Sequence, residues 1–202
     1  MHYHPAVQSG GNDPAIPVKY YLTKTMTKTI LVTLVLALPS VVSAQSTPKT
    51  YRFDSVGLRG GIDSQGDINI NTAELFATVT TPYQFQLGDT TVLDFNLEGG
   101  VGALDHKAGT GFYLRIGPQC TVSFGDSPLH LVIGSGPAYL SKHTFGRRNL
   151  GGDFQFFTSM GFDWDINDRW TLGYRWQHIS NAGLQDVNPG MNMHTLGLSY
   201  RF

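Results

Sequence analysis

The chain has 202 residues, a formal net charge of −1 and one cysteine. The near-neutral balance, with no basic run, removes the electrostatic case for a nucleic-acid partner. A lone cysteine excludes an intrachain disulfide framework, and the length suits one domain.

The first element is a leader. Lys24 and Lys28 precede the apolar run Ile30-Leu31-Val32-Thr33-Leu34-Val35-Leu36, and Val42-Ser43-Ala44 offers a small-residue cleavage site. The run is short for a transmembrane helix. The expected organisation is therefore a non-native upstream extension over 1–25, a signal peptide over 26–44 and the exported domain over 45–202.

Beyond the leader the dominant pattern is alternation, the signature of strands with two unlike faces. Strands are expected near 54–63, 71–81, 91–104, 110–124, 129–140, 151–165, 170–180 and 192–202. In 110–124, Phe112, Leu114, Ile116, Pro118, Cys120, Val122 and Phe124 share one face, opposite Tyr113, Arg115, Gln119 and Thr121. In 151–165, Phe154, Phe156, Met160, Phe162 and Trp164 alternate with Asp153, Gln155, Ser159 and Asp163, while Phe157 and Thr158 interrupt the pattern. The polar faces collect Arg59, Glu74, Asp94, Glu98, Arg115, Asp153, Asp163, Arg175 and Arg201.

Such alternation fits a soluble sandwich, with the apolar face inward, or a membrane barrel, with the apolar face in lipid. Three features favour the barrel. Aromatics cluster near strand ends (Phe112, Phe124, Trp164, Trp170, Tyr200), as in interfacial girdles. The strands have the length of a tilted membrane crossing. The chain also ends in Leu198-Ser199-Tyr200-Arg201-Phe202, an alternating strand with a C-terminal aromatic. The expected fold is all-β, an eight-stranded antiparallel transmembrane β-barrel of the bacterial outer membrane. Short turns at 125–128 and 166–169 then face the periplasm, and the longer segments near 141–150 and 181–191 face outward. A barrel of this size is filled by its own side chains and is a poor candidate for a wide pore.

The seventh strand reads Trp170-Thr171-Leu172-Gly173-Tyr174-Arg175-Trp176-Gln177-His178-Ile179-Ser180. Its lipid-facing parity carries His178 and Ser180 near the outer end. Residues i and i+2 on a strand face are about 7 Å apart, so a histidine could deprotonate a neighbouring serine as it attacks an ester. A third group must orient the imidazole. Asn192 and His194, of outward parity on the last strand, are both candidates. An isolated His-x-Ser at a strand end is usually only a polar anchor at the headgroup level.

The wider run Arg175-Trp176-Gln177-His178-Ile179-Ser180-Asn181-Ala182-Gly183-Leu184, followed by Asn188-Pro189-Gly190, resembles the active-site strand and loop of the lipid A 3-O-deacylase (PagL) family. The resemblance is sharp over about 173–202. It implies an eight-stranded outer-membrane barrel that hydrolyses an ester-linked acyl chain of lipid A, with Ser180 as nucleophile and His178 as general base. It further implies oxyanion or substrate-positioning roles for Asn188, Ala182 and Gly183. Asn192 stands where the family pattern has a glutamate; its amide oxygen can still accept from the imidazole.

The reaction implied needs no cofactor, and no histidine cluster has metal-ligand spacing. The implied partners are lipid A or lipopolysaccharide as substrate and the surrounding outer-membrane lipids, with a homodimer as the conceivable assembly. Cys120 reads as an inert lipid-facing residue. Lys142, Arg147 and Arg148 fall in an outer loop, where they could meet lipid phosphates or simply solvent. The competing functions are a non-catalytic barrel of the OmpA or OmpX type, and an outer-membrane phospholipase.

Overall fold

The structure is a computed structural model that describes residues 50–66 and 68–202. The expected upstream extension and leader lie outside the described residues. Eight long strands close into a barrel: β1 (Arg52–Asp63), β2 (Asn71–Leu87), β3 (Thr91–Asp105), β4 (Gly111–Phe124), β5 (Leu129–Leu140), β8 (Phe154–Asp165), β9 (Trp170–Ser180) and β10 (Met191–Arg201). Between β5 and β8 lies a miniature hairpin, β6 (Thr144–Phe145) and β7 (Arg148–Asn149). Every barrel strand pairs antiparallel with its neighbours, and β1 closes the ring on β10.

Two differences from the sequence reading have local causes. Strand β2 runs six residues past the expected end at 81, because its pairing with β3 slips between Thr80 and Gln84 and then resumes. Pro82 sits in that irregularity, where its missing N–H costs no ladder bond. The 141–150 segment, expected as an outer loop, contains the β6–β7 hairpin, turned by Gly146 at φ 58°. Four residues are too few to register as alternation.

The barrel surface is apolar: Leu58, Leu75, Val101, Leu114, Ile116, Ile133, Met160 and Leu196 are all exposed. Aromatics mark its inner rim, where Trp170 packs on Tyr200 and Phe53 on Phe202. This inversion, with apolar groups outside and charge within, is what a hydrocarbon solvent selects.

The interior is layered. At mid-height, Arg115 Nη2 lies 2.6 Å from both Glu74 and Glu98, and Arg59 spans the same two carboxylates at 3.6 and 3.3 Å. Tyr113 donates to Glu74, Arg59 lies over the Phe76 ring and Arg115 over Phe157. Phe157, which interrupted the alternation, therefore points inward as the cation's partner. Toward the inner end a polar cavity of about 310 Å³ is lined by Asp163, Asp165, His130, Arg175 and Arg201 among others. Arg175 pairs with Asp163 there, and Arg201 with Asp165.

The outer end is apolar instead. Phe145 and Leu150, on and just beyond the small hairpin, pack with Leu104, Leu140, Phe157, Ile179, Met191 and Met193 into a buried cluster that fills the mouth. Arg148 descends with the hairpin and pairs with Asp63 at 2.8 Å, both side chains buried. This corrects the reading of Arg148 as an exposed outer-loop cation, whether for lipid phosphates or for solvent. Asp153, expected among the interior charges, is exposed just before β8 and pairs with His143 at 2.7 Å.

Candidate active site on the lipid-facing surface

Strands β9 and β10 form the site. Thr171, Arg175, Gln177 and Ile179 of β9, with Met191, Met193 and Thr195 of β10, are buried in the barrel. Their neighbours His178, Ser180 and Asn192 therefore face outward, and all three are part-exposed. Pairing places Asn192 directly opposite His178, and His194 opposite Trp176.

That register decides between the two candidate partners. His178 Nδ1 lies 2.6 Å from Asn192 Oδ1. An amide oxygen only accepts, so Nδ1 is the donor in this bond, and in the neutral ring the lone pair is on Nε2. The Trp176 ring lies nearly parallel to the imidazole, with centroids 6.1 Å apart. His194 is engaged elsewhere: its Nδ1 lies 2.6 Å from the Tyr174 hydroxyl, against which it stacks.

Ser180 stands two residues beyond His178 on the same face, opposite Phe156 of β8. Among the described residues its hydroxyl makes no hydrogen bond to His178. In substrate-free esterases this contact is commonly long and tightens when substrate arrives.

The loop after Ser180 is built around Asn181, which is fully buried. Its Nδ2 donates to the carbonyls of Leu150, Gly151 and Val187, and its Oδ1 accepts from the Gly183 N–H at 2.9 Å. Residues 181–184 form a turn closed by Leu184 N–H to Asn181 O at 3.0 Å, with φ of 55° at Ala182 and 81° at Gly183. These are the two positive values of a type I′ turn. A left-handed alanine costs about 1–2 kcal/mol, here held by the buried amide beneath it.

Of the three groups expected to meet an oxyanion, Gly183 has its N–H committed to Asn181. The Ala182 N–H makes no hydrogen bond among the described residues. Asn188 Oδ1 accepts from the Asn181 N–H at 3.1 Å, so its Nδ2 protons remain for another partner.

Three contributors escaped the sequence reading. Gly190, at φ 68°, lies so close that a β-carbon there would stand 2.7 Å from His178 Cε1; the Pro189-Gly190 dipeptide signals a turn, not a ring contact. Asn181 belongs to the quoted run, but its clasp on Leu150 and Gly151 spans about thirty residues of sequence. Ser64 donates through N–H and Oγ to the Asn192 carbonyl at 2.8 and 3.2 Å. Nothing in the sequence joins residues 64 and 192, which meet only because the barrel closes.

A closed barrel with buried charge and an apolar exterior, bearing a His–Asn pair and a serine on that exterior, defines a transmembrane β-barrel with a polar cluster on its lipid-facing side. A family model described as lipid A 3-O-deacylase (PagL) matches residues 71–201, and the chain belongs to that family. The lipid A deacylase PagL of Bordetella bronchiseptica is 30% identical over 73 residues, 36% of this chain and 41% of that protein. The match thus spans less than half of that relative's length. The crystal structure of the outer membrane enzyme PagL aligns with a TM-score of 0.64 at 22% identity, covering 72% of this chain and 97% of that one. This second likeness is one of fold.

Proposed function

We propose that the protein is a lipid A deacylase of the bacterial outer membrane, a serine esterase that removes the 3-O-linked acyl chain in the outer leaflet. The observation that carries this reading is the 2.6 Å bond from His178 Nδ1 to Asn192 Oδ1, which prepares a basic Nε2 on a lipid-facing surface beside a serine.

In this scheme Ser180 Oγ attacks the ester carbonyl carbon as His178 Nε2 takes its proton. The Ala182 N–H and Asn188 Nδ2 donate to the developing oxyanion, while Gly183 shapes the turn through its bond to Asn181. Collapse breaks the bond to the sugar oxygen, which leaves as a hydroxyl carrying the proton returned by His178. Water then repeats the sequence on the acyl-enzyme and releases the fatty acid. Asn192 holds the tautomer but supplies no full negative charge to the imidazolium, so a slower chemical step than with a carboxylate partner is expected. Every group comes from one chain, and the scheme needs neither a cofactor nor a second copy.

Lipid A mass spectrometry on cells expressing wild type, Ser180→Ala or His178→Ala tests the proposal. The expected result is loss of one hydroxyacyl chain with wild type alone. Unchanged lipid A with wild type would favour a non-catalytic barrel, and fatty acid released from glycerophospholipid instead would change the substrate class.

A further inference from the structure

The register of the barrel lines up polar residues on the lipid-facing surface at the level of His178. Asn192 lies opposite His178, His178 opposite Thr158 of β8, and Thr158 opposite Ser135 of β5. The flanking rows differ. Ser180 lies opposite Phe156, which lies opposite Pro137; on the other side Trp176 lies opposite Met160, which lies opposite Ile133. The scheme above uses the Asn192–His178 half of the polar row and leaves the Thr158–Ser135 half without a role.

The hydrogen bonds of that half define its chemistry. Ser135 Oγ donates its one proton to the Phe157 carbonyl at 2.9 Å and lies 3.3 Å from Thr158 Oγ1. With the Ser135 proton spent, Thr158 must be the donor between the two hydroxyls. Thr158 Oγ1 therefore keeps acceptor lone pairs beside His178, with no other partner among the described residues. A hydroxyl acceptor left open toward hydrocarbon is a cost unless the ligand brings a donor.

Resting on the deacylase reading, we propose that Thr158, oriented by Ser135, is a specificity-determining subsite that accepts a hydrogen bond from a hydroxyl on the substrate's acyl chain near its ester carbonyl. The placement suits this donor. Thr158 lies one row deeper than Ser180, about 7 Å along the strand, on the path of an acyl chain descending from the attacked carbonyl into the leaflet. An ester or amide carbonyl offers only lone pairs and cannot satisfy an acceptor, and a plain hydrocarbon chain offers nothing.

The test uses purified full-length protein in detergent micelles. Its probes are a matched pair of sugar esters, one with a β-hydroxyacyl chain and one with the same chain lacking the hydroxyl. Wild type is expected to favour the hydroxyacyl ester about tenfold in kcat/KM, the scale of one satisfied hydrogen bond. Thr158→Val, which keeps size and β-branching, should bring the ratio close to one, and Thr158→Ser should restore most of it. Ser135→Ala should give an intermediate ratio. An unchanged ratio in Thr158→Val, or an equal fall on both esters, overturns the subsite while leaving the deacylase reading intact. Failure of wild type to cleave either ester overturns both. Ratios are compared only between proteins with the same heat-modifiable migration on gels, and Thr158→Ala, which also removes the hydroxyl, supplies the comparison if the valine variant does not fold.

Discussion

The two ends of the barrel are built from the same alternating strands yet solve opposite problems. Toward the inner end the strands surround a polar cavity of about 310 Å³ with paired charges on its wall. At the outer end a hairpin folds back into the mouth and seals it with Phe145 and Leu150 against Ile179, Met191 and Met193. These last three are the inward neighbours of His178, Ser180, Asn192 and His194. The apolar cluster thus braces from behind the strands whose front carries the proposed site, and rigid backing is what a site on a barrel exterior requires. The inner end is thus open to a polar cavity, whereas the outer end is closed by apolar packing.

The largest effect should come from the front of the outer end. Ser180→Ala is expected to lower acyl release at least about 10³-fold with unchanged heat-modifiable migration, read by fatty-acid release from lipid A in micelles. A folded variant with normal release would remove Ser180 from the chemistry.

Next, the mid-barrel charge cluster separates stability from activity. Arg115→Met leaves Glu74 and Glu98 facing one another with one cation fewer, and breaking a buried pair costs about 3–5 kcal/mol. Urea unfolding in detergent should report that loss, while kcat of the remaining folded protein stays near wild type. A stability loss below about 1 kcal/mol would mean that the cluster is screened by water, as at the inner end.

Smaller effects should follow from loosening His178. Asn192→Ala is expected to reduce kcat about 10–100-fold with little change in KM, because the orienting bond serves the transition state. An alanine with wild-type kcat would show that Trp176 and Gly190 hold the ring without it. Gly190→Ala should also slow turnover, since its β-carbon would meet the imidazole edge.

The smallest effect belongs to the inner rim. Arg201 is over a third exposed in its pair with Asp165, so Arg201→Gln should cost no more than about 1 kcal/mol and leave acyl release unchanged. A larger loss would show that the two ends are less different than their solvent access implies.

Much of this architecture was legible in residue order. Trp170 through Gln177 alternate without a break, and the parity they set assigned His178 and Ser180 to one face and Arg175 and Gln177 to the other. Phe157 defied its strand's pattern because it meets a buried guanidinium, not lipid. Arg148 was misread as an outer-loop cation because its partner Asp63 is 85 residues away. Gly183 looked like an oxyanion donor because only the fold shows its N–H bound to Asn181.

Residue order set the faces of the strands, their number and the shared face of His178 and Ser180, since a period of two is written into it. It offered Asn192 to orient His178, with His194 as the weaker candidate, because parity assigns a face but not a height. Cross-strand register, set by β9 pairing with β10 and by β1 closing the ring, put Asn192 level with the imidazole and sent His194 to Tyr174. Height is a property of the closed barrel: it depends on how far each strand slides against its neighbours before the hydrogen-bond ladder meets itself.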